Sequence, residues 1–196
     1  MPLPESHRAT LLDTARRSIR HGLAHGRALP VDPTGYDQPL AANGASFVTL
    51  HRQGALRGCI GTLEAFRPLI CDVAENAFAA AFRDPRFPPV TQGELVDITL
   101  DISVLGKPEA LEFRSRQDLL QQIRPGVDGL ILQDGPNRGT FLPSVWESLP
   151  EREEFLRQLN VKAGLPPGHW SDTLRVWRYT TEYFGEQTDR STRQSV

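Results

Sequence analysis

Only two cysteines occur in 196 residues, Cys59 and Cys71. They form no CxxC pair and have no second Cys/His pair at zinc spacing, which excludes a disulfide framework and a structural zinc site. Charge of one sign is equally scarce. Acidic and basic residues stand at 24 against 22, so there is no whole-chain basic field and general electrostatic binding of nucleic acid is disfavoured. No apolar run approaches the length of a membrane span, and no basic region followed by an apolar core opens the chain. A reduced, cytoplasmic protein without a membrane segment is expected. No P-loop, dinucleotide fingerprint, GxSxG elbow, HExxH or internal repeat is present, which leaves those enzyme classes without support. His21 and His25 are four apart, but no third ligand accompanies them, so they read as a helix end and no metal or cofactor site is expected.

What is present centres on Leu56-Arg57-Gly58-Cys59-Ile60-Gly61-Thr62-Leu63, a cysteine between two glycines in a strand-like run. Glycine weakens a strand and marks close approach of a ligand or another backbone. Here the pair suggests access to the thiol. Upstream, Phe47 to Arg52 and the turn residues Gln53-Gly54 complete a hairpin. A two-residue turn would set Cys59 opposite Val48 and put His51 on the other face. A three-residue turn would set Cys59 opposite Phe47 and bring His51, Arg57 and Cys59 to one face. Gln-Gly is not a favoured two-residue turn, so the longer one is preferred. Arg57, or amides near Gly58 and Gly61, would favour the thiolate or hold a developing oxyanion. The alternative is that Cys59 is a small buried hydrophobe.

Elsewhere, Ser6 is placed to cap a helix with apolar residues Leu11, Leu12, Ala15, Ile19 and Leu23, ending near Gly22 or Gly26. Pro68 opens a second helix running to about Phe82, with Leu69, Ile70, Val73, Ala77, Phe78 and Ala81 as its buried stripe. Asp84 and Arg86 straddle Pro85, either as a mutual ion pair or as orientated site residues. Ile98 to Val104 alternates as a strand. A helix spans about Ser115 to Ile123. A second hairpin follows, with Asp134 to Asn137 as a longer loop. A helix runs from about Glu151 to Ala163, and one closing strand covers Leu174 to Phe184, with Trp177, Tyr179 and Tyr183 on one face. Residues 187–196 read as a disordered tail. Helices and strands mix without β-α-β alternation, so an α+β fold with a largely antiparallel sheet and packed helices is expected.

The Leu56–Leu63 segment resembles the signature of the AMMECR domain family. The resemblance continues through Asp84-Pro85-Arg86-Phe87-Pro88-Pro89, Glu94-Leu95 and Ile102-Ser103-Val104-Leu105. It runs on through Arg124 to Leu130, Gly139 to Trp146 and Lys162 to Leu165, in the family's order over roughly residues 8–184. It implies a single domain over 1–186 made of two intertwined lobes with a cleft between them. Cys59 is expected at that cleft near Arg57, Thr62, Arg86 and His51. The resemblance implies no established reaction. It does imply company: a Memo-like protein and a radical SAM protein, the AmmeMemoRadiSam grouping in which this would be component A. Three readings follow. In the first, an enzyme or enzyme component uses Cys59 as nucleophile or carrier, with Asp84 or Glu64 orientating a base. In the second, the protein is an adaptor presenting substrate to those partners. In the third, it recognises a nucleotide or RNA segment through Arg57, Arg83, Arg86 and exposed aromatics.

Overall fold

The computed structural model describes residues 2–186, so the expected tail over 187–196 lies outside the described residues. The chain divides into two compact units. Among the described residues, one is built from residues 2–104 together with 182–186, the other from Leu105–Thr181. The fold is α+β, and every strand pairing with a recorded register is antiparallel.

In the first unit, α1 (Glu5–His25) begins ahead of Ser6. Pro4 stands at the N-cap, and its carbonyl accepts from His7 and Arg8, so Ser6 is inside the helix and caps nothing. Gly26, at φ +66°, ends it in the left-handed conformation that suits glycine. After the two-residue β1 (Asn43–Gly44) come β2 (Ser46–Arg52), β3 (Ala55–Gly61) and the short β4 (Arg67–Pro68). Then follow α2 (Leu69–Phe82), which begins after Pro68 as expected, and β5 (Ile98–Leu105).

In β2 and β5, alternation sends Val48, Leu50, Ile98, Leu100 and Ile102 inward, against Leu11, Ala15 and Ile19 of α1 and Ile70, Val73 and Ala77 of α2. Burial of this two-layer core is what fixes the strands' register, because a one-residue slip would turn each apolar set to water.

The second unit carries β6 (Glu109–Ala110), α3 (Arg116–Gln122, capped by Ser115), β7 (Gly129–Asp134), β8 (Asn137–Phe141), α4 (Arg152–Lys162) and β9 (Arg175–Tyr179). Its sheet has the order β6-β9-β7-β8, and its core includes Trp146 stacked on Phe155 at 3.7 Å.

Two expectations are corrected here. The second hairpin has no long loop: Asp134 pairs with Asn137 across a two-residue Gly135-Pro136 turn, with Gly135 at φ +56°. The single closing strand is two strands, β9 and β10 (Thr181–Gly185), separated by Thr180 and lying in different sheets. Trp177 and Tyr179 therefore belong to one sheet and the exposed Tyr183 to the other. The β10-β5-β2-β3 sheet leaves β3 at an edge.

Candidate functional site

The β2–β3 hairpin takes neither expected register. Gln53 and Gly54 form a two-residue turn, both with positive φ (53° and 81°), the conformation of a type I′ turn. A β-bulge then intervenes. His51 pairs with Leu56 while Leu50 pairs with Gly58, so Arg57 is the extra residue and Cys59 falls opposite Thr49. The bulge reverses the side-chain parity beyond it, so Phe47, Thr49, His51 and Cys59 share one face despite the short turn. The residues expected opposite Cys59, Val48 and Phe47, pair instead with Ile60 and Gly61.

Cys59 is half-buried, and the Thr49 hydroxyl donates a hydrogen bond to its Sγ at 3.2 Å. The backbone explains this closeness. Cys59 N–H donates to Asp84 Oδ2 at 2.9 Å, and Arg86 Nη2 donates to the Cys59 carbonyl at 3.2 Å. Both main-chain groups thus point away from β2, so Thr49 and Cys59 form a non-hydrogen-bonded pair, the kind whose side chains approach most closely. On the bare edge, Asp84 and Arg86 satisfy the main chain of Cys59 as a neighbouring strand would.

Asp84 is buried and also accepts from Arg86 Nε (2.9 Å), Arg86 Nη2 (2.7 Å) and Arg86 N–H (3.1 Å). Hydrogen bonds from Arg86, foremost, hold its carboxyl well below the usual carboxylate range. The mutual ion pair expected of these two residues is present, and it also grips the Cys59 main chain.

The other expected site residues have different company. His51 Nδ1 lies 2.9 Å from Asp101 Oδ2, and Asp101 sits across Thr49 on β5, on the opposite side of β2 from Cys59. Arg57 is spoken for by Glu94, which accepts from its Nε at 2.9 Å and its Nη2 at 3.2 Å. The Thr62 hydroxyl donates to the buried Asp72, and Glu64 is exposed in the turn beyond β3.

The two glycines, read as signs of access, both stand where packing is tight. A Cβ at Gly58 would lie 2.2 Å from the Ala80 carbonyl oxygen of α2, and one at Gly61 would lie 2.2 Å from the Phe47 ring. Sequence reasoning gave no site role to Thr49, Glu94, Asp72 or Asp101. Two of them left a signal: Thr49 alternates with Phe47 and His51, and Glu94 stands in a block of the family resemblance.

Glu94 yields an acid-stability prediction. Hydrogen bonds from Arg57, chiefly, and from Thr91 lower its carboxyl to about 2 from an ordinary 4.5. Because the folded value is depressed, the stabilisation is complete above about pH 4.5 and is lost as pH falls towards 2. Urea midpoints measured at pH 6, 4 and 3 are expected to fall. In Glu94→Gln they should start lower and fall less.

Among the described residues, no group of three or more His, Cys, Asp or Glu side chains is arranged to hold a metal. No helix among them is long and apolar enough to cross a membrane. The second unit has a groove of about 500 Å³ lined by residues including Phe113, Trp170 and Trp177. Arg114 and Arg175 in that groove are offset by Glu112 and Asp172, so its charge selects no ligand sign.

The AMMECR1 family profile matches residues 12–184. The chain belongs to the AMMECR1 family. It is 42% identical over 191 residues to a protein of Methanothermobacter thermautotrophicus, covering 94% of this chain and 97% of that relative. It is 40% identical over 188 residues to one of Thermococcus onnurineus, covering 90% and 89%. The crystal structure of an uncharacterized protein from Pyrococcus horikoshii superimposes with a TM-score of 0.79 at 36% identity, over 90% of each chain. The AMMECR1 fold is thus shared across these archaeal relatives.

Proposed function

We propose that Cys59 is a reactive thiol, the nucleophile or covalent carrier of an enzyme or enzyme component. The observation that carries this reading is the 3.2 Å hydrogen bond from the Thr49 hydroxyl to Sγ. A donor aimed at sulfur can hold negative charge that develops there as the thiol reacts. Support also comes from the rigid setting: Asp84 and Arg86 fix the main chain of Cys59, so the sulfur is presented at low entropic cost. His51, orientated by Asp101 on the same face, is the base available to a substrate lying across the strands rather than to the thiol itself. Gly58 and Gly61 contribute close packing that holds β3 in place, and Thr62 and Glu64 stand outside this set.

Alkylation by iodoacetamide, read by peptide mass spectrometry, tests the reading with Cys71 as the internal comparison. Burial pushes the Cys71 thiol up, so it should lag at neutral pH. Cys59 is expected to label first in the native protein. Thr49→Val should slow that labelling about three- to tenfold, the value of one net hydrogen bond. A Cys59 that labels only on unfolding would overturn the thiol reading in favour of the adaptor, which presents substrate to a Memo-like or radical SAM partner. That adaptor would use the same sheet face, where Leu56, opposite His51, is exposed.

A further inference from the structure

The edge of β3 holds a second arginine arrangement that mirrors the first. Arg86 spends Nε and Nη2 on Asp84, and Arg57 spends Nε and Nη2 on Glu94. Each side-on fork leaves Nη1 over. The Arg57 side chain is nine-tenths buried, and its Nη1 is a buried donor without a hydrogen-bond partner. Arg86 is half-exposed, and its hydrogen bonds among the described residues run through Nε, Nη2 and the main chain, leaving Nη1 over. Both guanidinium carbons face one ring, Phe87, at 5.9 Å for Arg57 and 5.5 Å for Arg86. A buried donor left unmet costs free energy that an acceptor would recover. Spare N–H groups on two arginines beside one aromatic ring suit an oxyanion, since guanidinium donors match carboxylate and phosphate oxygens.

We infer that the substrate of the Cys59 thiol carries a carboxylate or phosphate group, held by the spare Nη1 donors of Arg57 and Arg86 beside Phe87. This rests on the reactive-thiol reading. The connection to the thiol is direct, because Arg86 binds the Cys59 carbonyl with Nη2 while its other terminal nitrogen remains available. The Arg86 guanidinium stays charged there: hydrogen bonds with Asp84, foremost, push it upward. The two carboxylates neutralise most of the local charge, so recognition works through directed donors rather than a general field.

Paired alkylating agents separate the two claims. Iodoacetate and iodoacetamide undergo the same displacement: the S–C bond forms, C–I breaks, iodide leaves with the electron pair, and the thiol proton passes to buffer. Only iodoacetate carries the oxyanion. The rate ratio of iodoacetate to iodoacetamide at Cys59, divided by the ratio for N-acetylcysteine amide, is expected to exceed unity by about threefold, the reach of one weak charged contact. Inorganic phosphate at millimolar concentration should lower that ratio. The double variant Asp84→Asn, Arg86→Gln removes the ion pair without changing net charge and keeps an acceptor and a donor for the Cys59 main chain. Its ratio should fall to that of the reference thiol. If iodoacetamide labels native Cys59 but the wild-type ratio matches the reference, or phosphate leaves it unchanged, the oxyanion site is wrong and the thiol reading stands. If neither agent labels native Cys59, the thiol reading fails and the substrate inference falls with it.

Discussion

Asp72→Ala is expected to lower the unfolding free energy by about 3–5 kcal/mol, the cost of breaking a buried charge network. Asp72 is fully buried at the start of α2. Its carboxylate accepts from Ser46 N–H (2.8 Å), the Ser46 hydroxyl (2.7 Å), the Thr62 hydroxyl (2.7 Å), Arg67 Nε (2.8 Å) and Asn76 Nδ2 (2.9 Å). These donors come from the start of β2, the residue just after β3, β4 and α2, so one side chain joins the hairpin's open end to the helix beneath it. Truncation leaves Ser46 N–H with no carboxylate and Asn76 with fewer acceptors in a space closed to water, and each orphaned group carries its own penalty. Asp72→Asn should cost less but still destabilise, because its amide group turns donors towards Arg67 and Asn76.

The readout matters. All three tryptophans, Trp146, Trp170 and Trp177, lie in the second unit, whereas α1 and α2, the longest helices, lie in the first. Urea melts followed by far-ultraviolet circular dichroism should therefore show the loss directly. A midpoint within error of wild type by that signal would mean that the carboxylate network contributes little.

Much of the architecture was legible because it rests on local rules. Pro68 and the spacing of Ile70, Val73, Ala77 and Ala81 placed α2, and strict alternation placed β5. What escaped depends on partners far along the chain. The hairpin register turns on Arg57 leaving the ladder as a bulge to meet Glu94, 37 residues on, and nothing near Gln53-Gly54 announces it. The closing aromatics keep period two from Trp177 to Tyr183, but a period says nothing about which sheet a strand joins, so the break at Thr180 was invisible. At the site, Cys59, Asp84 and Arg86 were legible, and the structure brings them into contact. Arg57 was assigned to the thiol because adjacency in sequence suggested it, whereas a bidentate carboxylate is a stronger partner.

The glycines give the second large effect. Gly58→Val is expected to destabilise by more than about 3 kcal/mol, beyond ordinary overpacking, because the obstacle is main chain. The added Cβ would lie 2.2 Å from the Ala80 carbonyl oxygen and 3.1 Å from its carbon, and a helix carbonyl cannot move aside as a side-chain tip can. The conformation of Gly58 is not the cause, since it is not among the residues with positive φ. Even Gly58→Ala should lose much of this stability. Gly61→Ala is the informative contrast. Its Cβ would meet the Phe47 ring, which is only half-buried and can swing, so a smaller loss of about 1–2 kcal/mol is expected. Chemical melts of the three variants should rank Gly58→Val lowest, then Gly58→Ala, then Gly61→Ala. Packing would then be the reason a cysteine here stands between glycines: β3 must press against α2 for Asp84, two residues beyond the helix, to reach the Cys59 amide. Should Gly58→Ala melt like wild type while alkylation of its Cys59 slows, glycine would instead be serving access to the thiol.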